Sequence, residues 1–563
     1  MRFSTGTTGR LLAAAFLLQL LAPSAFAQQE GVLQIGDRLS EFLQRQEAAG
    51  RLPIDAMVDF QPISGYEANR LLDSLALDPD ALSSVDQALL ARFRNEAAGP
   101  NVERFGRRIP GAYSDGNTFY SVREDDYAIV GEPLLDTKLG PSRQTVTADA
   151  EPGSTPDVVY QASRGVRVAG HLGDHLFFES RIEENQRLPA VYEWDEDRRT
   201  APRLGNVKSG GEGYDYWRAA GMVGYRDKFV EVRFGRDRNR WGPAQSSLFL
   251  SDFAPAYDQL QVRAHAGRFR YASLFSRFVT PEGDRGNSIF PSKFSASHQL
   301  SIALPGRLDL ELFETVVFAD DTTDGNRNGF ELAYLNPLIF YRAVEADQST
   351  RDNVMLGASL AWRPVGGVQT YGQLLLDELR FSEIGSDWWA NKFGTVVGAH
   401  LVDVGLDGLD VRAEYAHLRP YLYSHRSEST AYVHYSDPLG HPAGANARDA
   451  ALFVRYLPTP TIEAGLNLAW TQRGRNPEGV NIGADPRDSY ETRESSRGVT
   501  FLQGVRQTQW LAEGRLSWEL LPSLFAEGAL VAQVTDDAEA GRRRALSTLF
   551  GLRWGVPFQS RRY

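Results

Sequence analysis

From about residue 155 to 558, apolar residues return at every second position, in stretches of about 9–13 residues. Val230, Val232 and Phe234 fall on one side of a segment whose other side carries Glu231 and Arg233. Ile462, Ala464, Leu466, Leu468 and Trp470 alternate with Glu463, Gly465, Asn467 and Ala469. Ala512, Gly514, Leu516, Trp518 and Leu520 alternate with Glu513, Arg515, Ser517 and Glu519, and the next two stretches, Leu524–Ala532 and Leu546–Phe558, repeat the pattern. A period of two is that of a β-strand with unlike faces. In water such a sheet must cover its apolar face with a second layer. Strands of this length, with Glu, Arg and Asp in the polar phase, match instead a sheet whose apolar side meets lipid, where a tilted strand needs about 9–11 residues. Lipid offers no partner to an open sheet edge, so the sheet must close. Some 400 residues at roughly 22 per strand and connection give about 16–18 strands. Trp470, Trp518 and Trp554 stand at or near the ends of such runs, where an aromatic girdle lies. The expected fold is therefore an all-β transmembrane barrel of antiparallel strands with a small N-terminal α-helical domain. A soluble sandwich or propeller is the competing reading, and no blade-length repeat supports it.

The rest of the chain divides by composition. Residues 1–27 read as a signal peptide, with Arg2 and Arg10 ahead of an apolar stretch from Leu11 to Leu21 and the small-x-small site Ala25-Phe26-Ala27. Residues 28–110 carry helical spacing: Leu39, Phe42 and Leu43; Leu71, Leu72 and Leu75; Leu89, Leu90 and Phe93. Capping boxes are expected at Ser64–Glu67 and Ser84–Gln87, with Asp78-Pro79 as the break between helices. We read this part as a periplasmic helical bundle, residues 111–154 as a linker leading into the barrel, and 155–563 as the outer-membrane barrel with its surface loops. Sixty Lys and Arg against 72 Asp and Glu give a net charge of −12, with no clustered basic face, which argues against nucleic acid as partner. With no cysteine, disulfide scaffolds, thiolate zinc sites, iron–sulfur clusters and cysteine nucleophiles are excluded.

One stretch, Gly235-Arg236-Asp237-Arg238-Asn239-Arg240-Trp241-Gly242-Pro243 running on to Ser247–Ser251, resembles the capsule-assembly outer-membrane proteins of the Wzi family. Four more stretches do so in order: Tyr334–Arg342 with Asn336-Pro337, Leu374–Glu378 with Asp377, Tyr421–His425, and Pro438–Pro442. The resemblance implies a large outer-membrane barrel with a periplasmic helical bundle, acting as a surface lectin for capsular or other exported polysaccharide, without catalysis. Arg236, Trp241, Gly242, Pro243, Ser251, Asn336, Pro337, Asp377 and Glu378 are then its structural motif residues.

Individual positions admit two readings each. Arg236, Arg238 and Arg240 share one phase and are expected to point into the lumen, either to bind an anionic sugar or, as we favour, to pair with carboxylates such as Glu231, Asp377 or Glu378. Asn336-Pro337 reads as a strand end or inward loop. Five histidines between 400 and 441 match no metal-ligand spacing, but His425 and His434 stand among Tyr421, Tyr423, Tyr432 and Tyr435. Aromatic faces stack on sugars and phenol or imidazole groups bond hydroxyls, so these six are glycan-binding candidates, with a girdle or packed lumen loop as the rival role. The paired indoles Trp388 and Trp389 are candidates on the same ground, against an interface belt. Asp320, Asp324 and Glu331 approach a calcium loop, although Thr322 fails its third position and the flanks look like strands; a solvated loop is the better reading. No catalytic elbow, phosphate loop or dinucleotide fingerprint occurs.

The expected protein is thus a monomeric outer-membrane lectin that needs no cofactor. Its partners are exported polysaccharide, outer-membrane lipid and the export machinery. The first rival is a porin-like diffusion channel, followed by an outer-membrane hydrolase and a soluble periplasmic sugar-binding protein.

Overall fold

Alternation over so many strands is resolved by closure. The computed structural model describes residues 30–146, 157–189, 200–201, 203–210, 213–280, 290–319, 332–336, 340–348, 352–378 and 380–558. Eighteen antiparallel strands make one closed barrel, each bonded to its neighbours in sequence and the last to the first. They are β1 (Tyr127–Val146), β2 (Val158–Leu172), β3 (Leu176–Leu188), β4 (Gly213–Arg226), β5 (Val230–Asp237) and β6 (Tyr257–Ala266). Next come β7 (Phe269–Val279), β8 (Ser292–Leu304), β9 (Leu308–Phe318), β10 (Asn353–Val365), β11 (Val368–Glu378) and β12 (Lys392–Val402). The circle ends with β13 (Leu409–Leu418), β14 (Ala447–Thr459), β15 (Ile462–Arg475), β16 (Val505–Leu521), β17 (Leu524–Asp537) and β18 (Gly541–Trp554).

The two phases take opposite sides. Phe234, Leu516, Trp518, Leu530 and Phe550 are exposed on the outer wall, while Arg233 and Glu513 are 1% and 2% exposed inside. An exterior this apolar is stable against hydrocarbon, and closure pairs the backbone groups that lipid leaves unmet. Among the described residues no helix is long and apolar enough to cross a membrane.

The barrel begins earlier than residue 155. β1 occupies part of the segment read as a linker, where Pro133 and Pro141 obscure a strand because proline donates no ladder bond. Its partners explain how both are accommodated. Residues 128–131 pair with the short strand Tyr120–Arg123, and pairing with β18 starts at Leu135, so Pro133 sits at the change of partner. The β18 ladder also passes over Pro141.

At one end of the barrel the strands are joined by turns of two to six residues; at the other, all but the connection 538–540 are loops of more than ten. The N-terminal helices α1 (Arg38–Ala48), α2 (Gly65–Leu75), α3 (Ser84–Phe93) and α4 (Val102–Gly106) lie at the turn end. Leu39, Phe42, Leu43, Leu71, Leu72, Leu75, Leu89 and Leu90 form their shared core. Ser64 caps α2 by accepting from the Glu67 amide at 3.3 Å. The cap of α3 is Ser83, one residue before the expected Ser84: its hydroxyl accepts from the Asp86 amide at 3.3 Å, and the Asp86 carboxylate binds Arg45 at 3.0 Å.

These helices plug the barrel mouth. Arg45 of α1 binds Asp86 and reaches Asp403 and Asp410 of the wall. Glu519 of β16 takes Arg38 at 2.8 Å and Arg92 at 2.7 Å. The segment between α1 and α2 is held by wall arginines: Arg233 and Arg263 donate to the Pro62 carbonyl at 2.7 and 2.9 Å, and Arg270 to that of Ala56 at 3.0 Å. Hydrogen bonds from charged groups contribute about 1.5–3 kcal/mol each, so the plug is part of the folded barrel.

The lipid-facing assignment has a direct consequence at mid-strand Leu530. Leu530→Arg is expected to destabilise the protein by about 2–4 kcal/mol in denaturant unfolding from lipid vesicles, whereas Gln533→Arg, on the lumen phase of β17, costs less than about 1 kcal/mol. Equal costs at the two positions would contradict the assignment.

Candidate functional site

Among the described residues, two of the long loops turn inward and pack on each other in the lumen. The β5–β6 loop, residues 238–256, starts with the short strand Arg240–Trp241, which pairs with Phe60–Gln61 of the plug. Trp241 is wholly buried, edge-on to Phe60 at 5.6 Å and Phe313 at 6.3 Å. Gly242 follows with φ +92°, and a Cβ there would stand 2.3 Å from Gln373 Nε2; only glycine lets the chain turn against that wall. Ser247 donates to the Trp241 carbonyl at 2.6 Å and Ser251 to that of Gly440 at 2.5 Å, while Pro243 is buried between them.

The β13–β14 loop, residues 419–446, closes over it. Tyr423 Oη donates to the Leu248 carbonyl at 3.1 Å and accepts from the His441 amide at 2.9 Å. Tyr432 Oη donates to the Phe249 carbonyl at 2.7 Å. Asp377 accepts from the Tyr423 amide at 2.7 Å and pairs with Lys392 at 3.0 Å, both side chains being fully buried. Glu378 lies 3.5 Å from the same Lys392, which also donates to the Ser424 carbonyl at 3.0 Å. Four of the five motif stretches therefore meet in one internal knot. The fifth does not: Tyr334 and Tyr341 pack on the outer wall with Phe318, under the helix α5 (Tyr341–Gln348), and Asn336 is exposed beside them. Pro337 lies outside the described residues, as do Asp320, Asp324 and Glu331 of the calcium-loop reading and the signal peptide.

This placement corrects several expectations. Tyr421, Tyr423, His425, Tyr432 and His434 are buried, with exposures of 0–6%, and their polar atoms bond their own loop or the loops and strand packed against it. His425 meets Thr430 at 2.7 Å, and His434 Nδ1 accepts from the Val279 amide at 3.0 Å. Tyr435 is half-buried, its ring 4.6 Å from that of His434. Buried and engaged in this way, the five act as packed lumen-loop residues. Trp388 is half-buried with the Arg380 guanidinium 4.7 Å from its ring; Trp389 is buried between Arg493 at 4.4 Å and Tyr490 at 4.8 Å. Arg236 points outward and pairs with Asp258 at 2.9 Å, because it shares the phase of Phe234. Arg238 and Arg240 do turn inward, but Glu231 pairs with Arg233, and Asp377 and Glu378 with Lys392.

The lumen also holds a polar chamber. A cavity of 890 Å³ runs from Arg475 and Gly541 near the loop end down to Phe558. Amide side chains line it (Gln161, Asn476, Gln507, Gln509 and Gln533), together with the apolar faces of Tyr214, Phe253 and Phe558. Three ion pairs stand in its wall: Arg475 with Asp537 at 2.7 Å, Arg487 with Asp485 at 2.5 Å, Lys138 with Glu527 at 3.2 Å. A second cavity of 230 Å³ shares Arg203, Phe253, Pro442, Arg515 and Phe558 with the first and is floored by Ile35, Gly36, Arg38 and Glu41 around the start of α1. No sequence motif marks this chamber. Its signal is the polar phase of the last strands: Gln507, Gln509, Glu513 and Arg515 alternate along β16, and Gln533, Thr535 and Asp537 along β17.

The barrel is similar to that of Wzi. That protein, from Escherichia coli, is an outer-membrane protein involved in group 1 capsule assembly and a carbohydrate-binding β-barrel; it matches with TM-score 0.52 and 14% identity over 94% of this chain and 100% of its own. At this identity the likeness is one of fold. A BenF-like porin from Pseudomonas fluorescens matches 76% of this chain and 98% of its own at 10% identity and TM-score 0.42, and OprD of Pseudomonas aeruginosa matches 76% and 94% at 9% and 0.39. No protein-family model matches the sequence, and no curated protein does.

The knot should be acid-labile. Burial, with repulsion from Arg236, pushes the His434 imidazole down to about 3, and burial holds His425 well below the usual histidine range. Both are neutral when folded and take up a proton when the loop opens. Their contribution is therefore complete above about pH 6.5 and is lost as pH falls below it, for His434 down to about 3, at about 1.4 kcal/mol per pH unit for each group. Hydrogen exchange across residues 419–446 should accelerate over that range, and more shallowly in His434→Asn; a pH-independent stability would refute the assignment. Separately, Lys392→Met should cost about 3–5 kcal/mol, since it strands Asp377 in the interior. A cost below about 1 kcal/mol in vesicle unfolding would show the pair to be dispensable.

Proposed function

We propose that the protein is a lectin-like barrel of the Gram-negative outer membrane that holds capsular or other exported polysaccharide at the cell surface. It binds and does not turn over its ligand. The observation that carries this reading is the chamber. A groove walled by amides, paired charges and a few aromatic faces suits a hydroxyl-rich polymer, whose hydroxyls take the polar groups while ring C–H faces rest on Tyr214, Phe253 and Phe558. Barrels of this kind carry short turns on the periplasmic side and long loops outside, which puts the helical plug in the periplasm and the mouth of the chamber toward the capsule. The plug gives the export machinery a surface to meet from within, and a single chain closes the barrel, so a monomer suffices. The carbohydrate binding and capsule role of the Escherichia coli protein of like fold agree with this reading.

A diffusion channel is the second reading, favoured by the continuity of the two cavities down to α1. Two measurements on the detergent-purified full-length protein separate them. Glycan arrays bearing bacterial surface polysaccharides should show saturable binding to a subset, and planar bilayers should show no steady large conductance, because the plug and the two inward loops occupy the lumen. Uniform absence of glycan binding together with steady large currents would replace the lectin by the channel.

A further inference from the structure

Arginine dominates the small cavity at the floor of the chamber: eight arginines and four carboxylates line it. Several of these cations are already neutralised. Arg455 and Arg515 hold Glu463 at 3.2 and 2.5 Å, Arg38 holds Glu519 at 2.8 Å and Arg553 holds Glu527 at 2.8 Å. Three others meet only uncharged acceptors. Arg238 donates to the Asp252 carbonyl at 3.2 Å, and Arg240 to Gln44 Oε1 at 2.9 Å. Arg412 donates to Gln245 Oε1 at 2.9 Å and to His400 Nδ1 at 3.0 Å. A guanidinium only donates, so that ring nitrogen is a bare acceptor. Arg240 is 3% exposed, and its Nη1 has no partner although it lines the cavity.

A buried guanidinium with no carboxylate among its hydrogen-bond partners is costly, and three such groups stand around one cavity, with Glu41, Asp252 and Asp410 of the same lining acting on them only from further off. Arg203 stands on the same wall, where burial and the nearby Arg238 and Arg218 push its guanidinium down to about 10 against the pull of Asp252. Above it the chamber is lined by amides disposed for hydroxyl groups, with Lys138, Arg475, Arg487 and Arg515 paired to acids.

We infer that the floor cavity is a carboxylate subsite, in which Arg238, Arg240 and Arg412 receive the acid group of a uronic-acid-type sugar while the rest of the glycan lies in the amide-lined chamber above. This inference rests on the lectin reading and narrows it to acidic saccharides. The forked donors of guanidinium match a carboxylate in two parallel bonds, and the desolvated floor strengthens each of them. Neutral stretches of polymer bind the chamber alone and lack this anchor.

The test uses the full-length protein in detergent micelles, titrated calorimetrically with oligogalacturonate and with its fully methyl-esterified counterpart, which keeps the hydroxyls and removes the charge. The acid form should bind at least about tenfold more tightly than the ester, as expected for one charge-assisted contact. Its affinity should fall with added salt while that of the ester stays level. Arg238→Gln and Arg412→Gln should each weaken acid-form binding about tenfold and leave the ester unchanged. Equal binding of the two forms, or glutamine variants that bind the acid form as well as the unmodified protein, would overturn the subsite and leave the lectin reading standing. Competition by inorganic phosphate as effective as the acid oligomer would make the floor a small-anion site and overturn the saccharide assignment. Failure to bind these and every other glycan would remove the lectin reading itself. Should a glutamine variant not insert, the salt slope of the unmodified protein decides: a flat slope overturns the subsite.

Discussion

A closed sheet in lipid has one place to put its charged residues. Once β18 bonds to β1, every side chain of the polar phase faces a lumen largely cut off from bulk water, and its charge must be met there. The internal architecture follows from this. Glu519 is met by Arg38 and Arg92 of the plug, Asp410 by Arg45, and Glu47 of α1 by Arg363 of β10. Where the chain has no side chain to offer it presents backbone, as at the Pro62 and Ala56 carbonyls that take Arg233, Arg263 and Arg270. The helical segment is in this sense the counter-charge of the barrel as much as its stopper.

The inward loops solve the same problem with fewer charges. Around Trp241, Leu248, Phe249 and Leu439 the lumen becomes an ordinary apolar core, and the polar atoms at its edge are satisfied one by one by Tyr423, Tyr432, Ser247 and Ser251. The resemblance to capsule-assembly proteins was carried mainly by the stretches that build this knot. Tight backbone approaches such as that of Gly242 to Gln373 leave little freedom of sequence, whereas a surface that contacts ligand can vary. The motif thus marked the fold more sharply than the ligand.

That distinction explains what could be read without a structure. The lipid face was legible because burial in hydrocarbon is a strict two-fold rule: Leu516 and Trp518 face out and Glu513, Ser517 and Glu519 face in, as the alternation requires. The helices were legible from the spacing of Leu71, Leu72 and Leu75. The start of β1 was not, because Pro133 reads locally as a strand breaker and only the change of partner strand makes it harmless. The charge of Arg236 suggests the lumen, but next to Phe234 its phase places it outside, at the rim, with Asp258 opposite. Tyr423 and His434 looked like a sugar platform because a ring that stacks on sugar and a ring that packs on ring have the same composition. The chamber is not legible in sequence because its walls come from strands far apart in the chain, with Gln161, Lys138, Gln507 and Gln533 in one lining.

Arg263 shows that a buried lumen arginine can be held by a carbonyl and an amide alone, and the floor of the chamber gathers three such arginines around one cavity. The barrel has carboxylates in ample supply, and the neighbouring positions show that an acid at Gln44 or Gln245 would reach Arg240 or Arg412 at hydrogen-bond distance. Amides stand there instead. An amide holds a guanidinium in place without cancelling its charge, which is the arrangement expected where the charge is to be cancelled by something that arrives. The position agrees with this, since the cavity joins the chamber and is closed below by α1, so that a ligand entering between the loops would meet the amide-lined walls first and the arginines of the floor last. Ordered this way, neutral contacts align the glycan and the acid group fixes it. The desolvation cost of the arginines, carried by the empty barrel, is relieved only when the right ligand reaches the floor.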